Sequence, residues 1–242
     1  LAAPKVFYYT KELSLSLLGN SNNIGEPVLS RRDFYRFGGG FTNLNRQTGT
    51  SINISSDNAG LGNLQNNRAK SIDANLGAFN FSNSFNNKKW LISGFTIFTD
   101  TENILEENIS RLYSSTNSTQ ETSEGSIQIN KQQLYKFTTE FNPSDNLQTE
   151  YNILVKSAEN IENTKLNSNV IRQGQTVSEK ISELRIDKPF SINQEIKSYY
   201  TLNQDHIFSF EAQHLDQDED PFYQAIKEIQ PFSNVLTLDK NQ

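Results

Sequence analysis

The chain has 242 residues, a net charge of -6, no cysteine, and a composition that is 34% hydrophobic and 11% aromatic. Without cysteine there are no disulfides, thiolate metal sites or cysteine nucleophiles, and the acidic balance argues against nucleic acid as a partner. The apolar share falls below the ~45–50% usual for a globular domain, the aromatic share is too high for a disordered chain, and no apolar run approaches the ~18 residues of a membrane helix, so a membrane span would have to be built from strands.

From the first residues onward, period-two segments come in pairs joined by short turns. Val6 to Tyr9 turns at Thr10 and Lys11 into ELSLSLL, where Leu13, Leu15 and Leu17 alternate with Ser14 and Ser16. SIDANLGAFNF turns at about Asn86, Asn87 and Lys88 into WLISGFTIFT. In QLYKFTTEF the residues Tyr135, Phe137, Thr139 and Phe141 share one face; NPSDN follows as a turn. The return strand LQTEYNILVK then places Leu147, Thr149, Tyr151, Ile153 and Val155 together, with Leu154 the one apolar residue on the polar side. A fourth pair, QEIKSYYTL, turns at Asn203, Gln204 and Asp205 into HIFSFEAQ, where Phe208, Phe210 and Ala212 oppose Ser209, Glu211 and Gln213. These are hairpin signals: alternation flanked by Asn, Asp, Pro and Ser turn chemistry.

The links between pairs are long and polar, from Gly25 to about Lys70, about Ser114 to Lys131 and about Asn160 to Lys188. They predict long loops at one end of the sheet and tight turns at the other, the organisation of an outer-membrane barrel with short periplasmic turns and long external loops. Strands of about 10 residues, tilted by about 40°, cross an apolar band of about 25 Å. Aromatics gather beside the tight turns, at Phe7 to Tyr9, Phe79, Phe81, Phe85, Trp90, Phe141, Tyr199 and Tyr200, where an interfacial girdle would lie. The predicted fold is thus an all-β, antiparallel, up-and-down transmembrane β-barrel segment of about eight strands, with residues 1–242 forming part of one barrel domain. A chain that begins at Leu1 with no signal-peptide pattern, and whose final polar stretch carries no evident return strand, reads as an internal part of a larger barrel.

Three segments carry a resemblance: KELSLSLLGNSNNIGEPVLSRRDFYRF, KFTTEFNPSDNLQTEYNILVKS and LNQDHIFSFEAQHLDQDEDPFYQAI. Together they resemble the barrel of TonB-dependent receptors of Bacteroidetes-type bacteria. The resemblance implies a bacterial outer-membrane location and import of a nutrient such as a ferric siderophore or an oligosaccharide. It also implies a plug domain and a TonB contact supplied by parts outside this chain, with outer-membrane lipid as a further partner. The rival readings are a small structural or adhesive outer-membrane barrel and a soluble carbohydrate-binding β-sandwich.

Candidate chemistry is sparse. Arg31, Arg32, Tyr35 and Arg36, with Phe34 and Phe37, offer bidentate hydrogen bonds and stacking surfaces for an anionic or sugar ligand in an external loop; the plainer reading is a helical turn on the barrel rim. Asp216, Asp218 and Asp220 invite a calcium reading, but they lack the glycine and distal Glu of an EF-hand loop, and an exit from a membrane is charged anyway. Gly38 to Gly40 lack the flanking elements of a phosphate loop. His206 and His214 are the only histidines and stand too far apart along one strand to share a site. No nucleophile, base and orienting acid are brought together by any pattern, so the chain is expected to be neither an enzyme nor a cofactor binder. On the polar face Lys136, Glu140, Glu150, Lys156, Glu195, Lys197 and Glu211 form rows of opposite charge that would pair across strands.

Overall fold

The structure, a computed structural model, describes residues 1–24, 70–172, 174–203, 205–230 and 234–241. Its elements are β1 (Lys5–Tyr9), β2 (Leu13–Asn22), β3 (Ser71–Phe85), β4 (Trp90–Tyr113), β5 (Ser118–Ser144), β6 (Leu147–Arg172), β7 (Gln175–Asp187), β8 (Phe190–Asn203), β9 (His206–Asp218), β10 (Phe222–Gln230) and β11 (Asn234–Asn241). All eleven belong to one antiparallel sheet. No helix is present among the described residues.

The four hairpins read from alternation are all present. Thr10 closes the first, its Oγ1 accepting the Leu13 amide at 2.9 Å while its own amide donates to the Leu13 carbonyl at 2.7 Å. The second turns on Asn86, Asn87 and Lys88, all three with positive φ. Asparagine tolerates that region better than most residues, which is why it punctuates such turns.

Two of the expected long loops are instead strand. β4 continues to Tyr113 and β5 starts at Ser118, so the stretch from Ser114 to Lys131 contributes one tight turn and then 14 residues of paired strand. Likewise β6 runs to Arg172 and β7 begins at Gln175, with Gly174 at φ 77 in the turn. These extensions are mostly polar, with apolar residues scattered over both sides, so hydrophobic alternation does not reveal them, yet their ladder hydrogen bonds continue without a register shift. The third link, residues 25–69, lies outside the described residues. β11 is a return strand, paired with β10, where none was expected, and the strand number is eleven in place of about eight.

Two breaks interrupt what are otherwise single long strands. β6 pairs with β8 over its first half and with β7 over its second, so β7 and β8 are one line broken at Lys188 and Pro189. β9 and β10 are the next line, broken between Asp218 and Phe222, where Pro221 falls. Because Phe190 pairs with Asp218 and Ile186 with Phe222, the breaks lie side by side. Proline cannot donate to a ladder, so the two form a seam across neighbouring strands. The acidic segment from Asp216 is therefore a seam within a continuing strand; the expected departure into a loop does not occur there.

Register sorts the side chains into two faces. Leu15, Phe81, Gly94, Phe137, Ile153 and Gln194 follow one another across β2 to β8 on one of them. Leu18, Ala78, Ile97 and Leu134 do so on the other, with Leu154 diagonal to Leu134. The second face is the sheltered one: Leu18, Ala78, Ile97, Leu134 and Leu154 are all buried, as are Lys136, Asn152 and Lys197. The first face exposes Leu17, Phe79, Trp90, Phe98, Tyr135, Phe137, Phe141, Phe208 and Phe210. Among the described residues, each strand's near backbone neighbours are its hydrogen-bonded partners. The buried residues, apolar and polar alike, thus share the face of Lys136, Asn152 and Lys197, and the opposite, greasier face is left exposed.

Gly94 shows how tightly that outer face is packed. A Cβ there would stand 2.7 Å from the Lys136 carbonyl and 2.8 Å from the Phe81 ring. Phe81 thus lies across the glycine, with the Phe137 ring 6.5 Å away on the other side. Covering a strand glycine with a cross-strand aromatic restores the apolar contact that the missing side chain forfeits.

Candidate functional site

The exposed apolar face is bounded at both ends. At the tight-turn end Phe85, Trp90 and Phe141 stand in one row, with centroids 5.6 Å and 6.4 Å apart, and the Trp90 Nε1 donates to Thr139 Oγ1 at 2.8 Å. An indole with an apolar body and a satisfied polar edge suits an interface between grease and water. About ten residues further along each strand comes a row of charge: Asp100 directly opposite Lys131, Lys131 directly opposite Glu159. The Lys131 Nζ lies 3.7 Å and the Lys188 Nζ 3.3 Å from the Glu159 carboxylate. Just inside that row Phe98 and Tyr135 meet edge to face at 5.5 Å. Ten residues at about 3.3 Å each, tilted by about 40°, give a band of about 25 Å.

Asp216 and Asp218 sit at the same level on the same face, since they pair with Ile192 and Phe190 beside the seam. Both are exposed, as is Asp220, and no group of three or more His, Asp or Glu gathers as a metal site among the described residues. They align with the charged row. Arg31, Arg32, Tyr35 and Arg36 lie outside the described residues, as does Gly38 to Gly40. His206 opens β9 and His214 lies eight residues further along it, with the His206 Nδ1 2.9 Å from Asn203 Oδ1.

The charged residues of the polar face are brought together on β5, β6, β8 and β9. Lys197 is directly opposite Glu150 on one side and Glu211 on the other, and its Nζ lies 2.8 Å from Glu195 Oε1. Around them Thr138 donates to Asn152 Oδ1 and Asn152 to Glu150 Oε1, both at 2.7 Å, while Tyr199 donates to Glu211 Oε1 at 2.9 Å. Glu140 faces Glu150 directly, a like-charge pair, and accepts from Asn142 at 3.0 Å and Gln148 at 3.3 Å. The network is nearly dry at Lys197, whose side chain is 4% exposed. Burying a charge is costly unless it is paired and hydrogen-bonded, and here it is.

Beyond the charged row the extensions of β4 to β7 and β10 run another dozen or so residues, about 40 Å of extended chain. They are held by polar ladders: Gln128 to Glu162 at 2.8 Å, Gln120 to Ser168 at 3.0 Å, Ser178 to Asn169 at 2.7 Å, and a Lys227–Glu179 ion pair. Burial and the nearby Glu183 carboxylate push the Tyr223 phenol up from its ordinary range.

The charged row Asp100, Lys131, Glu159 and Lys188 escaped the sequence reading. Its signal was present: on one strand after another, a charge stands ten positions from the residue nearest the tight turn, as Asp100 does from Trp90 and Lys131 from Phe141. No protein-family model matches the sequence, and no curated protein matches it.

Proposed function

We propose that this chain is part of the wall of an outer-membrane β-barrel and that the barrel is a nutrient transporter of the TonB-dependent receptor kind. One observation carries the membrane reading: an exposed apolar band about ten residues tall, edged by aromatics at one end and charges at the other, lies on one face of a single sheet whose other face, a mixture of apolar and polar side chains, is sheltered. Water-soluble proteins rarely leave a contiguous apolar face of that extent exposed. In lipid the arrangement is the stable one, because the bilayer covers the band and the ladder hydrogen bonds of β2 to β8 within the span are internal, the open edges of β1 and β9 being left for the rest of the barrel.

On this reading the network around Lys197 lines the lumen, where it presents carboxylates and amides to a plug or to polar cargo. The polar extensions stand above the bilayer and form the outer vestibule through which a ferric siderophore or an oligosaccharide would enter. A carbohydrate-binding sandwich has less support, since it needs a second layer over the apolar face.

The test has two arms in a strain that carries the full-length gene. The protein is expected to fractionate with the outer membrane and to need detergent for extraction, and loss of the gene is expected to reduce uptake of one member of a panel of ferric siderophores and oligosaccharides. Recovery as a soluble monomer would contradict the membrane reading; unchanged uptake of the whole panel would contradict transport.

A further inference from the structure

The seam between the two broken lines differs from a bulge, because register passes straight through it. Asn160 pairs with Asp187 and Ser157 with Phe190, so β6 and its partner line each advance by three residues. Ile186 pairs with Phe222 and Phe190 with Asp218, so the two broken lines each advance by four. Continued at that register, Lys188 would stand opposite Asp220 and Pro189 opposite Glu219. Yet no hydrogen bond or ion pair joins Lys188 or Pro189 to Glu219, Asp220 or Pro221, all of them described residues. The Lys188 ammonium turns instead to Glu159 on β6, 3.3 Å away.

Toward β6 one rung is half made. The Ala158 amide donates to the Pro189 carbonyl at 3.0 Å, and the return bond of that antiparallel pair is missing because proline has no N–H. On the extension side of the seam, β7, β10 and β11 are joined to one another by unbroken ladders, from Ile186 with Phe222 to Ser178 with Gln230, and from Phe222 with Asn241 to Ile229 with Asn234. Among the described residues their ties to the remaining strands are the β6 ladder from Asn160 to Arg172 and the two broken lines themselves. β6 passes the height of the seam as one continuous strand.

We infer that β7, β10 and β11 move as one panel, which turns about the line of β6 with the seam as its loose border. Across the seam the panel hangs on two extended chains that no bond holds to each other, so their backbone torsions can absorb a rotation as hinge residues do. Segments with few backbone hydrogen bonds are also the ones that open at least cost. The inference stands on register and hydrogen bonding; only the panel's role, as a movable part of the vestibule wall, rests on the transporter reading above.

The experiment places pairs of spin-labelled cysteines in the full-length protein, freed of any other cysteine, and reads their distance distributions by pulsed dipolar EPR. Asn108 and Glu228 lie four strand spacings apart across β5, β6 and β7. Phe98 and Asp218, four spacings apart across β5, β6 and β8 on the near side of the seam, are the control. A turn of about 30° about β6 carries β10, two spacings or about 10 Å away, through about 5 Å, and the distribution for Asn108 and Glu228 should exceed the control in breadth by about that much. Pro189→Val with Pro221→Val, which supplies the missing donor at position 189, should narrow it to the control width. Pro143→Val, beside a hairpin turn, should leave it broad. A wild-type distribution as narrow as the control, or breadth that survives the paired valines, overturns the panel. A control pair equally broad would mean that the whole sheet is loose, and overturns it too. None of these outcomes reads membrane insertion or uptake, so the proposed function is tested separately.

Discussion

Replacing Ile153 by arginine is expected to destabilise the protein in lipid vesicles by about 2–4 kcal/mol, the cost of that side chain near the middle of a bilayer on the lipid face of a barrel. Ile153 lies on the apolar face of β6, midway between Thr149 beside the aromatic row and Glu159 in the charged row. It is flanked across the strands by Phe137 and Gln194. Asn163→Arg, on the same strand and face but beyond the charged row, should cost no more than about 1 kcal/mol. Denaturant titration of both variants in vesicles gives the comparison. Equal and small costs, within about 0.5 kcal/mol, are what an ordinary water-facing surface would give, and they would contradict a band of lipid at that height.

The second large effect is on the sheltered face. Lys197→Met should cost about 1–3 kcal/mol, because it removes a buried cation from beside Glu195 and leaves the half-buried Glu150 and Glu195 carboxylates without it. The double variant Lys197→Met, Glu195→Gln should recover part of that loss, with a coupling energy of at least about 1 kcal/mol in the cycle. Additive losses of less than about 1 kcal/mol each would mean a solvated face, where such pairs contribute little.

Much of this was legible from the residues. Tyr135 to Val155 reads as a hairpin because both strands alternate cleanly around NPSDN, of which Asp145 and Asn146 make the turn while Asn142 to Ser144 stay in β5 past an irregularity in register. The seven charged residues of the polar face were legible for the same reason: strict alternation puts Lys136, Glu150 and Lys197 on one side before any coordinates are known. Leu154 looked like an error in the pattern and is instead part of a small buried cluster near Leu134.

The extensions were illegible because alternation disappears where neither face needs to be greasy. TENILEENISRLY and STQETSEGSIQIN scatter a few apolar residues among polar ones on both faces, without alternation, and backbone pairing with polar side-chain ladders holds them. Asn117 at φ 47 and Gly174 at φ 77 were the available turn signals, set among too many other polar residues to stand out. The seam was half legible. Pro221 and the acids before it marked a break in the strand, where an exit into a loop had been expected; Pro189 lies on the neighbouring line, and only register shows that the two breaks coincide.

The chain contains no cysteine, which makes the central claim directly measurable. Single cysteines placed one at a time from Tyr151 to Lys156, spin-labelled and reconstituted into vesicles, report collisions with oxygen in lipid and with a nickel chelate in water. The account predicts period two: high oxygen accessibility at positions 151, 153 and 155, low at 152, 154 and 156, and a handover to the nickel chelate on the same outer face beyond Glu159. Oxygen accessibility that is uniform along the strand, or nickel accessibility at position 153 equal to that beyond Glu159, would contradict it.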